Sequence, residues 1–134
     1  MDVIKRAISG QAVAYAFVLK IIFTAITMES GYKGGEIVPT FFIGATFGCI
    51  AGRVLGLNTG FSAAIGMIAT FCGVANCPVA SIMLSIEVFG GHGVGFFALA
   101  CAISYMLSGY FSLYSSQMII FSKLKNEIIN INAR

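Results

Sequence analysis

Gly34 to Phe42 reads GGEIVPTFF. Two glycines let the backbone bend, a carboxylate follows, and Pro39 stands where a helix opens. A residue without an N–H costs nothing in a first helical turn. The apolar run behind it predicts a helix from about Thr40 to Leu55. The first N–H groups of a helix lack intrahelical partners, and the helix dipole adds partial positive charge there. One reading of the stretch is a helix N-terminus whose amides at Glu36, Ile37 and Val38 hold a small anion weakly enough to release it. The other is an ordinary loop before an ordinary helix.

The surroundings of this turn predict a bilayer. Of 134 residues, 58% are hydrophobic and only 10% charged, whereas a soluble domain carries charge at roughly a quarter of its positions. Residues 54 to 86 contain no charge, and residues 88 to 122 contain none beyond the ordinarily neutral His92. Each run exceeds the roughly 20 residues a spanning helix needs. Lys5 and Arg6 near one end, and Lys123, Lys125 and Arg134 near the other, place both ends in the cytoplasm by the positive-inside rule. These flanks account for the net charge of +3, and nothing resembles the basic, aromatic-interleaved face of a nucleic-acid binder. The basic start leads into an apolar run without a small-residue cleavage pattern.

Working outward, Ala12 to Met28 forms a first apolar block with Lys20 in its middle, which must face protein or water or reach an interface. Beyond the turn, Gly44, Gly48, Gly52 and Gly56 recur at every fourth position and predict a face that a neighbouring helix approaches closely. GLNTG at 56 to 60 separates this helix from a third, Phe61 to about Val74. Asn76 and Pro78 break the chain, Val79 to Phe89 follows, and GGHGVG leads into Phe96 to Phe111. A last segment from Tyr114 turns polar after Ser122. The helices opening at Thr40, Phe61 and Val79 are predicted to fall short of a full crossing. Helices broken at bilayer depth are tolerated only where the broken backbone is buried or lines a cavity, as around the midplane sites of transporters.

The four cysteines, Cys49, Cys72, Cys77 and Cys101, lie in apolar segments without metal-ligand spacing and read as small packing residues. No metal or cofactor site is expected. An enzyme is excluded by the lack of any grouped nucleophile, base and orienting residue. Glu87 reads as a helix-end or interface carboxylate, and His92 as an exposed loop residue.

Three stretches carry a family resemblance. GGEIVPTFFIGATFGCIAGRVLG, NCPVASIMLSIEVFG and FSLYSSQMI resemble, in order, the second-half signature, the following helix pair and the terminal segment of the CLC family of chloride channels and anion/proton antiporters. The resemblance runs from about Lys20 to Lys125. It implies an all-α membrane protein, the C-terminal half of a CLC-type inverted-repeat fold with short, broken, tilted transmembrane helices. Residues 1–134 would form a single transmembrane domain without a soluble regulatory domain. It implies an anion site at Glu36, Ile37 and Val38, supported by the turn residues Gly34, Gly35 and Pro39, with Tyr114 offering its hydroxyl from the cytoplasmic side. Without the resemblance, Tyr114 reads as an interfacial aromatic.

The implied partners are chloride or fluoride, with protons if transport is coupled, the lipid bilayer, and a second copy in a homodimer. The implied location is a prokaryotic plasma membrane. Two departures bear on the ion. Ile37 replaces the signature phenylalanine, and Glu36 precedes it where an apolar residue is usual. Glu36 with FIGAT looks more like the fluoride/proton antiporter branch, though that branch favours threonine at Val38. Glu36 is either an anion- or proton-coupled group or a carboxylate accepting bonds at a helix start. The family's two first-half motifs, including the one with the gating glutamate, do not occur in these residues. The chain is therefore expected to be the second half of a transporter, and a fragment that does not itself transport is the remaining alternative.

Overall fold

A computed structural model describes residues 2, 15–30, 35–112, 117–123, 125 and 127–132. Among them are five helices and one strand pair: α1 (Ala16–Glu29), α2 (Ile37–Val54), α3 (Thr59–Ala75), α4 (Pro78–Phe89), α5 (Val94–Leu107), β1 (Met118–Phe121) and β2 (Ile128–Asn132). The chain divides into two compact units, residues 1–70 and 71–134, with the boundary inside α3.

In the first unit α1 packs on α2, and α2 meets the N-terminal part of α3 across glycines. A Cβ on Gly66 would lie 2.5 Å from the Gly44 carbonyl oxygen and 2.8 Å from the Gly48 Cα. A Cβ on Gly44 would lie 2.6 Å from the Gly66 carbonyl oxygen. Only hydrogen fits between these backbones, so the predicted stripe is a contact surface at Gly44, Gly48 and Gly52. Gly56 does not belong to it. It adopts φ +68° with open space around its Cα and ends α2, with Leu57 N–H donating to the Gly52 carbonyl (2.8 Å) and Gly56 N–H to Arg53 (3.4 Å). That pair of bonds is a Schellman cap.

Several boundaries differ from expectation. α2 begins at Ile37 rather than Thr40, because the first intrahelical bond, Thr40 N–H to the Glu36 carbonyl (3.2 Å), leaves Pro39 at a position whose N–H would be free anyway. α3 begins at Thr59 rather than Phe61, because Asn58 Oδ1 accepts from Gly60 N–H (3.1 Å) and Phe61 N–H (3.3 Å) and caps the helix. α5 stops at Leu107, not Phe111: Gly109 takes φ +59° and turns the chain out. At 18 residues, α2 is the one described helix long and apolar enough to cross a membrane, with mean hydropathy 1.5. The expectation that it falls short is corrected. The others have 12 to 17 residues.

The all-α expectation also needs a correction at the C-terminus. β1 and β2 pair antiparallel, Met118 opposite Asn132 and Ile119 opposite Ile131, with an irregularity before Phe121 opposite Ile128. Isoleucines at 119, 120, 128, 129 and 131 favour the pleated surface.

Two features suit a bilayer. Hydroxyls in the helices bond back to their own helix, as Thr46 does to the Phe42 carbonyl (2.7 Å) and Thr70 to Gly66 (2.8 Å), and no buried side-chain polar atom among the described residues lacks a partner. Large apolar side chains face outward instead: Val18, Leu19, Ile22, Phe23 and Ile26 on α1 are 45–59% exposed. Small residues make up much of the buried set, among them fully buried Ala45, Ala63, Cys49, Cys72 and Cys101, alongside the larger Ile68 and Phe97. All four cysteines are free thiols, in keeping with a packing role.

Candidate functional site

The chain enters α2 with Gly35 exposed and Glu36 half-buried. Glu36 has helical torsions (φ −75°, ψ −17°), and its side chain makes no capping bond. Its carbonyl is the group engaged, accepting Thr40 N–H at 3.2 Å and Thr40 Oγ1 at 2.8 Å. The carboxylate therefore does not serve as a helix cap. Ile37 and Val38 fill the first turn, ahead of the first intrahelical bond, so their N–H groups point out of the helix end with its partial positive charge. Their side chains are exposed. Gly35, Glu36, Ile37, Val38 and Pro39 thus share one helix start. Gly34 and Tyr114 lie outside the described residues.

α1 completes the surroundings. An open cleft of about 130 Å³ is lined by Lys20, Phe23, Thr24 and Thr27 from α1 and by Gly35, Glu36 and Pro39 at the α2 start. Lys20, Thr24 and Thr27 follow helical spacing and lie on one face of α1. Thr27 Oγ1 is spent on the Phe23 carbonyl (2.7 Å). Lys20 Nζ stands 6.0 Å from the Phe42 ring centroid, at the outer limit of a cation–π contact. Of the three settings open to Lys20 in the sequence, protein, water or an interface, it takes a half-buried place on the cleft wall. The sequence offered no reason to join Lys20, Thr24 and Thr27 to the Glu36 turn. The only signal was their spacing within an apolar block, and it needed the packing of α1 on α2 to acquire meaning.

A small cleft with a lysine on one wall, beside the start of a helix, can attract a small anion, and the Glu36 carboxylate on its other wall opposes that attraction. It offers no nucleophile with a base beside it. Among the described residues no group of three His, Cys, Asp or Glu side chains is placed to hold a metal. Glu87 is exposed near the end of α4, and His92 is exposed in the α4–α5 loop, as expected of the histidine.

The family model for voltage gated chloride channels matches residues 1–109. The chain belongs to that family. Among curated relatives it is 41% identical, over 104 residues, to a chloride/fluoride channel protein of Pseudomonas syringae pv. tomato, an alignment covering 78% of this chain and 23% of the relative. It is 34% identical over 71 residues to an uncharacterized protein of Methanocaldococcus jannaschii, covering 53% of this chain and 18% of that one. It is 29% identical over 99 residues to the chloride channel protein CLC-e of Arabidopsis thaliana, covering 62% and 14%. The chain thus spans under a quarter of the length of the curated relatives it matches. Membership makes it a membrane protein of an anion-transport family, and the resemblance drawn from GGEIVPTFF and NCPVASIMLSIEVFG, both within the matched residues, is shown at the level of the family, while FSLYSSQMI lies beyond residue 109.

Proposed function

We propose that this chain supplies one half of the pathway by which a CLC-type protein moves small halide ions across a prokaryotic plasma membrane, with chloride as the leading cargo. The observation that carries the reading is the α2 start. Ile37 and Val38 present amides before the first intrahelical bond at Thr40, in a family matched over residues 1–109. Partial charges attract a halide without trapping it, as a fully charged group in low dielectric would. Tyr114 contributes its hydroxyl to the same ion, and Gly34, Gly35 and Pro39 shape the turn. The other half of the pathway comes from first-half motifs of the inverted-repeat fold, and proton coupling would involve Glu36 or a group in that half.

A second reading, fluoride export coupled to protons, is favoured by the relative named for both chloride and fluoride and by Glu36 with FIGAT. The apolar outward residues of α4 and α5, among them Val79, Met83, Leu99 and Ile103, support a homodimer through that surface. Liposomes holding this chain within its complete protein and loaded with chloride or fluoride test both readings. Chloride efflux well above protein-free liposomes is expected. Efflux of fluoride with little chloride would replace the first reading with the second. Efflux of neither would refute transport and leave a structural fragment.

A further inference from the structure

In the second unit the C-terminal part of α3 lies beside α5 and runs in the same direction. Cys72 Sγ donates to the Cys101 carbonyl (3.5 Å). A Cβ on Gly73 would lie 2.8 Å from Ser104 Oγ and 3.8 Å from Ser108 Cβ. Asn76, directly after α3, is tied through Lys123 to Tyr105 and Ser108 at the end of α5. Positions 72, 73 and 76 thus meet 101, 104, 105 and 108 in rising order, each set at the three- and four-residue spacing of one helix face. Helices packed in this sense bring their C-terminal ends together, and both ends carry partial negative charge. Like ends repel unless a cation stands between them.

Lys123 supplies that cation from outside both helices. It is half-buried, and its Nζ donates to Asn76 Oδ1 (2.5 Å), to the Tyr105 carbonyl (3.0 Å) and to Ser108 Oγ (3.0 Å). An ammonium has three donors, and all three are used. Ser108 Oγ gives its own proton to the Tyr105 carbonyl (3.0 Å), which leaves the oxygen free to accept from Lys123. The ammonium also stands 4.0 Å from the Tyr105 ring centroid. Every acceptor is neutral, so the charge is answered by the two helix ends and not by a carboxylate. Asn76, at φ +56°, closes α3 with its N–H on the Cys72 carbonyl (2.9 Å), and the C-cap Ser108 closes α5 with its N–H on the Ser104 carbonyl (2.9 Å). These two amides end the helices that the cation joins.

We propose that Lys123 is a latch: its charge, standing just after β1 in the chain, holds the ends of α3 and α5 together, and withdrawing it lets the two ends part. The latch goes beyond the transport reading and does not depend on it. In the sequence Lys123 reads only as a basic flank, because its acceptors lie 15 to 47 positions away.

Amide hydrogen exchange tests it, on Lys123→Met, Lys123→Arg and the milder Ser108→Ala, each in the complete protein that carries this chain, in detergent. K123M is expected to speed exchange at Asn76 and Ser108 about tenfold, the effect of losing a charge-assisted bond. The amides of Leu57 at the end of α2 and Gly90 at the end of α4, bonded to the Gly52 and Ile86 carbonyls, should keep their wild-type rates. K123R retains the charge and should stay within about threefold of wild type at all four. Unchanged exchange at Asn76 and Ser108 in K123M overturns the latch. An equal increase at all four amides also overturns it, because it reports general destabilisation. K123R exchanging as fast as K123M overturns charge as the holding force. S108A is read at Asn76, an amide the substitution does not touch, and should speed it by about threefold through the weakened hold on Lys123. If K123M does not fold, S108A decides: selective acceleration at Asn76 over Leu57 and Gly90 upholds the latch, and its absence overturns it.

Discussion

Replacing Gly66 by alanine tests the packing that holds the helix of the proposed site in place. The added Cβ would lie 2.5 Å from the Gly44 carbonyl oxygen, 2.8 Å from the Gly48 Cα and 3.1 Å from the Gly48 nitrogen. All three are backbone atoms, so no rotamer change relieves the clash. Ordinary contact begins near 3.4 Å, and α2 and α3 would have to separate by about 0.9 Å along that line. Overpacking of this kind costs about 1–3 kcal/mol, and the rigidity of the opposing backbone places G66A toward the upper end. Gly95→Ala is the control: it lies in α5 with nothing within 4 Å of its Cβ direction, and removing a helical glycine is worth up to about 1 kcal/mol in stability. Thermal unfolding of the purified protein in detergent should show G66A melting several degrees lower and G95A unchanged or higher. A G66A protein melting with the wild type would refute the glycine-mediated contact between α2 and α3.

Two further outcomes follow from the same geometry. Glu36→Gln should fold with wild-type stability, because the carboxylate makes no capping bond. It should raise halide flux several-fold at neutral pH, since a negative charge beside an anion site repels the ion; equal or lower flux would remove Glu36 as an opposing charge. Cysteine introduced at Met83, an exposed position on α4, should cross-link two copies in the membrane. Monomer alone, with the same chemistry effective at a known contact, would count against a dimer through α4.

Much of this architecture was legible because its signals are local. Charge-free runs, the Gly44–Gly48–Gly52 spacing and the Asn76–Pro78 break each depend on residues within a turn or two of one another. Boundaries failed where one residue fits two roles. Pro39 reads as a helix opener but is tolerated at the third helical position, and Gly56 shares the period of the stripe yet supplies the cap. Asn58 reads as part of a turn, although its side chain caps α3. The strand pair joins residues across a chain reversal, and no periodicity within either strand reveals a partner. The candidate site divides in the same way. Glu36, Ile37 and Val38 follow from the rule that helix starts carry free amides, while Lys20, Thr24 and Thr27 join them only through the packing of α1 on α2. Lys123 is the extreme case, since its acceptors Asn76, Tyr105 and Ser108 stand 15 to 47 positions away, at the ends of two helices.

The central claim is that backbone amides at the start of α2 bind the transported halide, and among side-chain replacements only proline removes an amide N–H, changing the side chain as well. Replacing Val38 by its α-hydroxy acid turns that amide into an ester and deletes one N–H, leaving the side chain in place. With the variant protein in liposomes, the half-saturating halide concentration should rise about tenfold, the effect of one lost hydrogen bond to a charged group. Half-saturation and maximal flux both matching the wild-type protein would contradict the account.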